Sequence, residues 1–139
     1  QDEYGQVVTM MLRSAIDKGI VHVHGDGMQT RSLTWVDDIV RGIALSGRLD
    51  SCLESGESLA GRSFNLGSTE EISMMDLGKA ISQLVHDRTE RLVEIKMAKG
   101  YPGDSARRIP YLVDAKESLG WSAITTLDSG LRQTLDSML

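Results

Sequence analysis

Aromatic residues make up 4% of this 139-residue chain, too few for the stacking platforms that hold single-stranded nucleic acid. Cations are also in deficit, 15 Lys and Arg against 20 Asp and Glu, for a net charge of −5 and a pI near 5.1. That balance excludes a general nucleic-acid binder, whose affinity rests on neutralised phosphates. A small anionic ligand remains compatible with it, because a pocket needs only a few well-placed cations. The single cysteine, Cys52, cannot close an internal disulfide, so a reducing cytoplasm is the expected location. No apolar run approaches the ~20 residues that span a bilayer, so no membrane partner is expected. The N-terminal stretch Gln1-Asp2-Glu3-Tyr4-Gly5-Gln6 is polar and acidic, unlike a signal peptide, and no Met opens the chain, which suggests a fragment. Internal repeats and low-complexity segments are absent from the sequence.

With 40% apolar and 25% charged residues, the chain has the composition of a globular protein, and its length predicts a single domain over 1–139. The 3.6-residue spacing of Val8, Met11, Leu12 and Ala15 predicts a helix from Val7 to Lys18, stopped by Gly19. Ile20 to His24 and Ser32 to Val36 read as short strands around a Gly-containing turn. Asp37 is placed to cap a helix through Leu45, with Ile39, Val40 and Ile43 inward. Residues 46–61 read as a surface loop and Ser63 to Leu66 as a strand ending at Gly67. Ser73, with Asp76 three residues on, predicts a capping box opening a helix whose stripe is Leu77, Ile81, Leu84 and Val85. Arg91 to Ala98 reads as extended and Lys99 to Pro110 as a loop. Asp114 to Leu119 is a short helix closed by Gly120, and Leu127 to Leu139 is a last helix. The order α-β-β-α-β-α-β-α-α predicts a mixed α/β (α+β) fold, a small sheet of short strands packed with about five helices.

The segment richest in chemistry is Gly25-Asp26-Gly27-Met28-Gln29-Thr30-Arg31-Ser32-Leu33-Thr34-Trp35-Val36-Asp37-Asp38. Arg31 carries a planar fork that matches two phosphate oxygens, and the glycines of the turn let backbone approach a ligand. This run resembles the substrate-binding part of the NAD-dependent epimerase/dehydratase family, the extended short-chain dehydrogenases acting on nucleotide sugars. There a Gly-x-Gly-x-Gln-x-Arg segment precedes an aromatic residue and Val-Asp-Asp. The likeness continues in Val7-Val8 through Ala15 and Gly19, in Phe64-Asn65-Leu66-Gly67, and in Ile72 to Leu77. It closes with Pro102-Gly103-Asp104, Arg107-Arg108-Ile109-Pro110, Asp114-Ala115-Lys116 and Leu119-Gly120-Trp121. These pieces stand in the family's order at natural spacing.

The resemblance implies that the chain corresponds to the family's C-terminal portion and binds the diphosphate of a nucleotide-diphosphate sugar. Arg31 and Arg108 would be its clamps, Gln29 would belong to the same segment, and His24 would lie beside the base. A complete member would use NAD, with hydride transfer from the sugar as the first step. Here the family's Gly-x-x-Gly-x-x-Gly turn for NAD is missing, so no cofactor is expected in this chain. Its Tyr-x-x-x-Lys pair is missing too: Tyr4 is followed four residues on by Val8, Tyr101 by Ser105 and Tyr111 by Ala115. Gln6 stands where decarboxylases of the family often carry Arg, and Tyr111 where many members have Asp. A catalytically incomplete nucleotide-sugar-binding portion is therefore expected, partnered by the missing Rossmann half or by a second copy of itself. The alternative is a free-standing, non-catalytic binding or assembly module.

Rival readings of single residues are blander. Arg31 could pair with Asp37 or Asp38, and Arg107 with Asp104. His22, His24 and Asp26 superficially suggest a metal-dependent hydrolase, but two imidazoles and one turn carboxylate form a poor ligand set. Asp37 and Asp38 diverge by ~100° on a helix, so capping and helix-dipole compensation explain them better than paired catalysis. Met74, Met75 and Trp121 read as packing residues.

Overall fold

The computed structural model describes residues 7–139, so Tyr4 and Gln6 lie outside the described residues. The elements are α1 (Val7–Lys18), β1 (Ile20–His24), β2 (Thr30–Ser32), α2 (Val36–Ser46), β3 (Glu71–Ser73), α3 (Met74–Thr89), β4 (Glu94–Ala98), β5 (Arg107–Arg108), α4 (Val113–Leu119) and α5 (Leu127–Asp136). Five helices and two small sheets make a mixed α/β architecture. The described residues gather into two compact units, one from residues 7–31, 72–107 and 131–139, the other from residues 32–71 and 108–130. Strands β2, β3 and β5 form one sheet with β2 central.

The first unit is built on a parallel pair, β1 with β4, in which Val21 faces Ile95 and Val23 faces Met97. Period-2 alternation turns Val21 and Val23 inward, both fully buried, and leaves His22 outward. Helices α1 and α3 pack on β1 and on each other, burying Met11, Leu12 and Ala15 from one and Leu77, Ile81, Leu84 and Val85 from the other. The predicted stripe of α3 is thus observed, and so is that of α1 apart from Val8, which is half-buried. Gly78 lets α3 settle on the strand: a Cβ there would stand 2.9 Å from Val23 Cγ2, a β-branched side chain with little freedom to move. Ser73 caps α3 as expected, its Oγ accepting from the Asp76 N–H at 3.0 Å and donating to the Asp76 carboxylate at 2.7 Å. The C-terminal end of α1 is closed by Gly19, at φ 66°, and by Arg91, whose guanidinium donates to the carbonyls of Ile16 (2.7 Å) and Asp17 (3.1 Å). Helix-end carbonyls have no intrahelical partner, and a side chain seventy-odd residues downstream meeting that need carries no local sequence signal.

Four expectations change. The strand placed at Ser32 to Val36 is shorter and earlier, Thr30–Ser32, and Trp35, not Asp37, holds the N-cap position of α2, with no side-chain cap bond. The buried residues of α2 are Asp38 and Gly42; of the residues expected inward Ile39 is half-buried, but Val40 and Ile43 are 56% and 60% exposed, and Val36 is 59% exposed. Gly42 explains the choice of face, since a Cβ there would lie 2.6 Å from Leu66 and 3.0 Å from the Trp121 indole nitrogen. The fourth change is at Ser63 to Leu66, which is not a strand and joins no ladder. Among the described residues, no backbone N–H or C=O of residues 63–67 makes a hydrogen bond. The core of the second unit is Cys52, Leu59, Ala115, Leu119 and Trp121, with Leu45, Leu49, Phe64 and Leu66 packed against it.

Candidate functional site

The turn that follows β1 is shaped by Gly25 and Gly27, at φ 72° and 74°, where a β-carbon would be strained. Gly27 is further constrained, since a Cβ would press on Val23 at 2.9 Å and Met75 at 3.0 Å. The turn is tied to α3 by the N–H of Met75 donating to the Gly27 carbonyl (2.9 Å) and that of Met74 to the Gln29 carbonyl (3.1 Å). Met74 is buried and Met75 partly so, as expected of packing residues. Asp26 accepts from the Met28 N–H at 2.9 Å, closing the turn on itself.

Opposite the turn lies the loop after β4, residues 99–106. The Gly25 N–H donates to the Ala98 carbonyl (3.0 Å) and the Thr30 N–H to the Ala106 carbonyl (2.8 Å). A Cβ on Gly100 would be 3.1 Å from Gly25 Cα, so the two backbones meet closely there. Of the four predicted binding residues, the structure gathers His24, Gln29 and Arg31 around this loop. His24 Nδ1 lies 3.0 Å from the Lys99 carbonyl; a carbonyl only accepts, so Nδ1 carries the proton. The His24 ring stacks on Tyr101, centroids 4.7 Å apart and planes at 27°. Gln29 donates Nε2 to the His24 carbonyl at 2.8 Å, while its Oε1 is buried with no partner among the described residues.

Arg31 is held at three points. Nη1 donates to the carbonyls of Thr30 (2.7 Å) and Ser105 (2.8 Å), and Nη2 donates to Asp104 Oδ1 at 2.5 Å. Its ion-pair partner is therefore Asp104, neither Asp37 nor Asp38 as the local alternative had it. Arg108, the fourth predicted residue, is in β5; its side chain is exposed and makes no ion pair or side-chain hydrogen bond among the described residues. His22, His24 and Asp26 do not converge, and no group of three or more His, Cys, Asp or Glu suited to a metal forms among the described residues.

Sequence reasoning missed the role of Asp38. It is 2% exposed and is not a helix cap. Its carboxylate accepts from Arg41 Nη2 (2.8 Å) and from the N–H groups of Ile124 (3.2 Å) and Thr125 (2.9 Å), while its backbone carbonyl accepts from the Trp121 indole (2.9 Å). Burial alone would raise the pKa of this carboxyl, but the bonds from Arg41, Thr125 and Ile124 outweigh it and hold the group below its ordinary value. Adjacent Asp37 instead accepts from the Trp35 indole at 3.0 Å. Cys52 is a buried free thiol whose pKa is pulled down to about 7, chiefly by hydrogen bonds from the Ser55 hydroxyl and N–H and from Ser118.

With this geometry in view, the comparisons with known proteins decide the family. The family described as GDP-mannose 4,6 dehydratase matches residues 4–134. The chain belongs to the NAD-dependent epimerase/dehydratase family and corresponds to its C-terminal portion. It is 32% identical over 127 residues to UDP-glucuronic acid decarboxylase 4 of Arabidopsis thaliana, covering 91% of this chain and 26% of that protein. To the UDP-N-acetyl-alpha-D-glucosaminuronate decarboxylase of Bacillus cytotoxicus it is 29% identical over 135 residues, 95% of this chain and 39% of the relative. The UDP-glucose 4-epimerase of Thermotoga maritima, solved with UDP-glucose, superposes with a TM-score of 0.79 at 29% identity, covering 99% of this chain and 41% of that one. The chain thus spans well under half the length of these relatives.

Proposed function

We propose that this member of the epimerase/dehydratase family is a nucleotide-diphosphate-sugar-binding portion that is catalytically incomplete by itself. The observation that carries the reading is the Gly25-to-Arg31 turn, with a guanidinium braced by two backbone carbonyls, in a chain that matches its relatives over nearly its whole length. Bracing Nη1 fixes the guanidinium, so that its Nη2 side, which rests on the exposed Asp104 carboxylate, is presented to an anion at small entropic cost. Arg31 would grip the diphosphate and Arg108 would be the second clamp, with His24 and Gln29 beside the nucleotide. The residues present do not fit NAD. A dinucleotide cradle needs a Gly-rich turn opening a helix N-terminus, whereas the Gly25–Gly27 turn leads into a strand. No Tyr-x-x-x-Lys pair is present for proton transfer, so no redox step is assigned to this chain.

Calorimetric titration with UDP tests the assignment. Arg31→Ala and Arg108→Ala should each weaken binding by about thirtyfold, the worth of one charge-assisted bidentate contact of ~2 kcal/mol. Arg31→Lys should recover little, because a point charge lacks the fork. UDP affinity unchanged in both alanine variants would show that the ligand sits elsewhere or is of another kind.

The same reading assigns a partner to the second unit. The exposed stripe Val36, Val40 and Ile43, together with the backbone of residues 63–67, unpaired among the described residues, is a surface for the cofactor-binding half of a complete enzyme. An uncovered apolar face and unpaired backbone favour association, so this chain alone is expected to form a two-fold dimer. Light scattering at micromolar concentration should give twice the 15.2 kDa chain mass, falling to a monomer in Val40→Glu/Ile43→Lys. A 15.2 kDa parent monomer with a cooperative melt would favour the free-standing module instead.

A further inference from the structure

Arg31 enters the site already partnered. Thr30 and Ser105 offer it neutral carbonyls, but Asp104 offers a carboxylate, and carboxylate and phosphate oxygens compete for the same kind of N–H. The two carbonyls hold Nη1 regardless of what Nη2 does, so the guanidinium stays in place when its anionic partner changes. Asp104 is freer. Its side chain is 33% exposed against 15% for Arg31, and it follows Gly103, at φ 77° with nothing within 4 Å of where a Cβ would be. The carboxylate, at the more exposed end of the pair, can turn toward solvent, while Arg31 is held by its two carbonyls.

Resting on the diphosphate reading of Arg31, we propose that Asp104 is a built-in competitor, a carboxylate that occupies the Arg31 fork when no ligand is bound and yields it to an incoming phosphate. Exchange of one anion for another keeps the half-buried guanidinium paired throughout, avoiding the cost of an isolated charge. It also sets a threshold. Opening the Arg31–Asp104 pair costs the same whatever the ligand, so Asp104 lowers the apparent affinity of any phosphate that takes the fork by a common factor.

Calorimetric titration of UDP and UMP into the parent, Asp104→Asn, Arg31→Ala and the double variant tests the exchange, with circular dichroism confirming that each folds. Asp104→Asn should bind UDP about tenfold more tightly, the size of a typical coupling between interacting charges, and UMP should gain by a similar factor. In the Arg31→Ala background the Asp104→Asn gain should vanish. If Arg31→Ala weakens UDP but Asp104→Asn leaves affinity equal or lower, Asp104 merely positions Arg31 and the competitor role is wrong, while the diphosphate reading stands. If the gain persists without Arg31, general charge removal explains it and the exchange is refuted. If Arg31→Ala leaves UDP binding untouched, or if none of the four proteins binds UDP, the diphosphate reading falls and the exchange falls with it.

Discussion

Replacing Asp38 by alanine should destabilise the second unit by about 3–5 kcal/mol, the cost of leaving buried donors and a partner charge without their carboxylate. Both tryptophans, Trp35 and Trp121, belong to that unit, so indole fluorescence reports its melting selectively. A loss of this size should lower the midpoint by about 10 °C or more in a chain of this length. Asparagine should rescue only part of it. One amide oxygen can serve the Ile124 and Thr125 N–H groups, but the amide nitrogen would then face the Arg41 guanidinium, donor against donor. The pH dependence follows from the lowered pKa of Asp38. Its contribution is complete above the unfolded value of about 4 and is lost as pH falls through the depressed folded value. The parent should therefore lose stability on acidification through this window, and Asp38→Asn should lose less. An Asp38→Ala variant melting within 2 °C of the parent, roughly half a kcal/mol here, would show that the carboxylate is dispensable.

Trp121→Ala should be about as damaging. The ring is 1% exposed in the core with Cys52, Leu59, Ala115 and Leu119, and removing a buried tryptophan costs roughly 3–5 kcal/mol through lost burial and the cavity left behind. Trp121→Phe should fall between, since it keeps most of the volume but strands the Asp38 carbonyl that the indole nitrogen serves. The two sites share a network, so Trp121→Ala combined with Asp38→Ala should cost clearly less than the sum of the single losses. Fluorescence from Trp35 follows the transition in these variants. Strict additivity would mean that the network contributes no coupling.

The contrast between Asp38 and Ser73 shows how much the sequence could reveal. Ser73 and Asp76 satisfy each other within one helical turn, so the capping box is legible from spacing alone. The helix stripes on α1 and α3 are legible for the same reason, because they repeat what local periodicity already states. Asp38 meets its partners at Trp121, Ile124 and Thr125, and no local rule predicts a carboxylate serving groups so far along the chain. The orientation of α2 was misjudged on the same account. Val40 and Ile43 are apolar and periodic, but the face that packs is decided by Gly42 and its distant neighbours Leu66 and Trp121. In the candidate site, the Gly25-to-Arg31 turn was visible as a motif, and His24, Gln29 and Arg31 do share it. What spacing could not supply was the loop of residues 99–106 that brings Tyr101 and Asp104 against them.

The pairing of β1 with β4 carries a consequence for how the chain comes to be folded. Ile20 must find Glu94, and Leu131 and Leu135, near the far end of the chain, complete the core of the same unit. As the polypeptide emerges from the ribosome, α1 and β1 precede α3 and β4, their partners in this unit. They must wait through residues 32–71, a segment of the second unit, before those partners arrive, and closing so long a loop is slow as well as entropically costly. Until α3, β4 and α5 have followed, the apolar faces of α1 and β1 stay exposed to chaperones, proteases and other nascent chains.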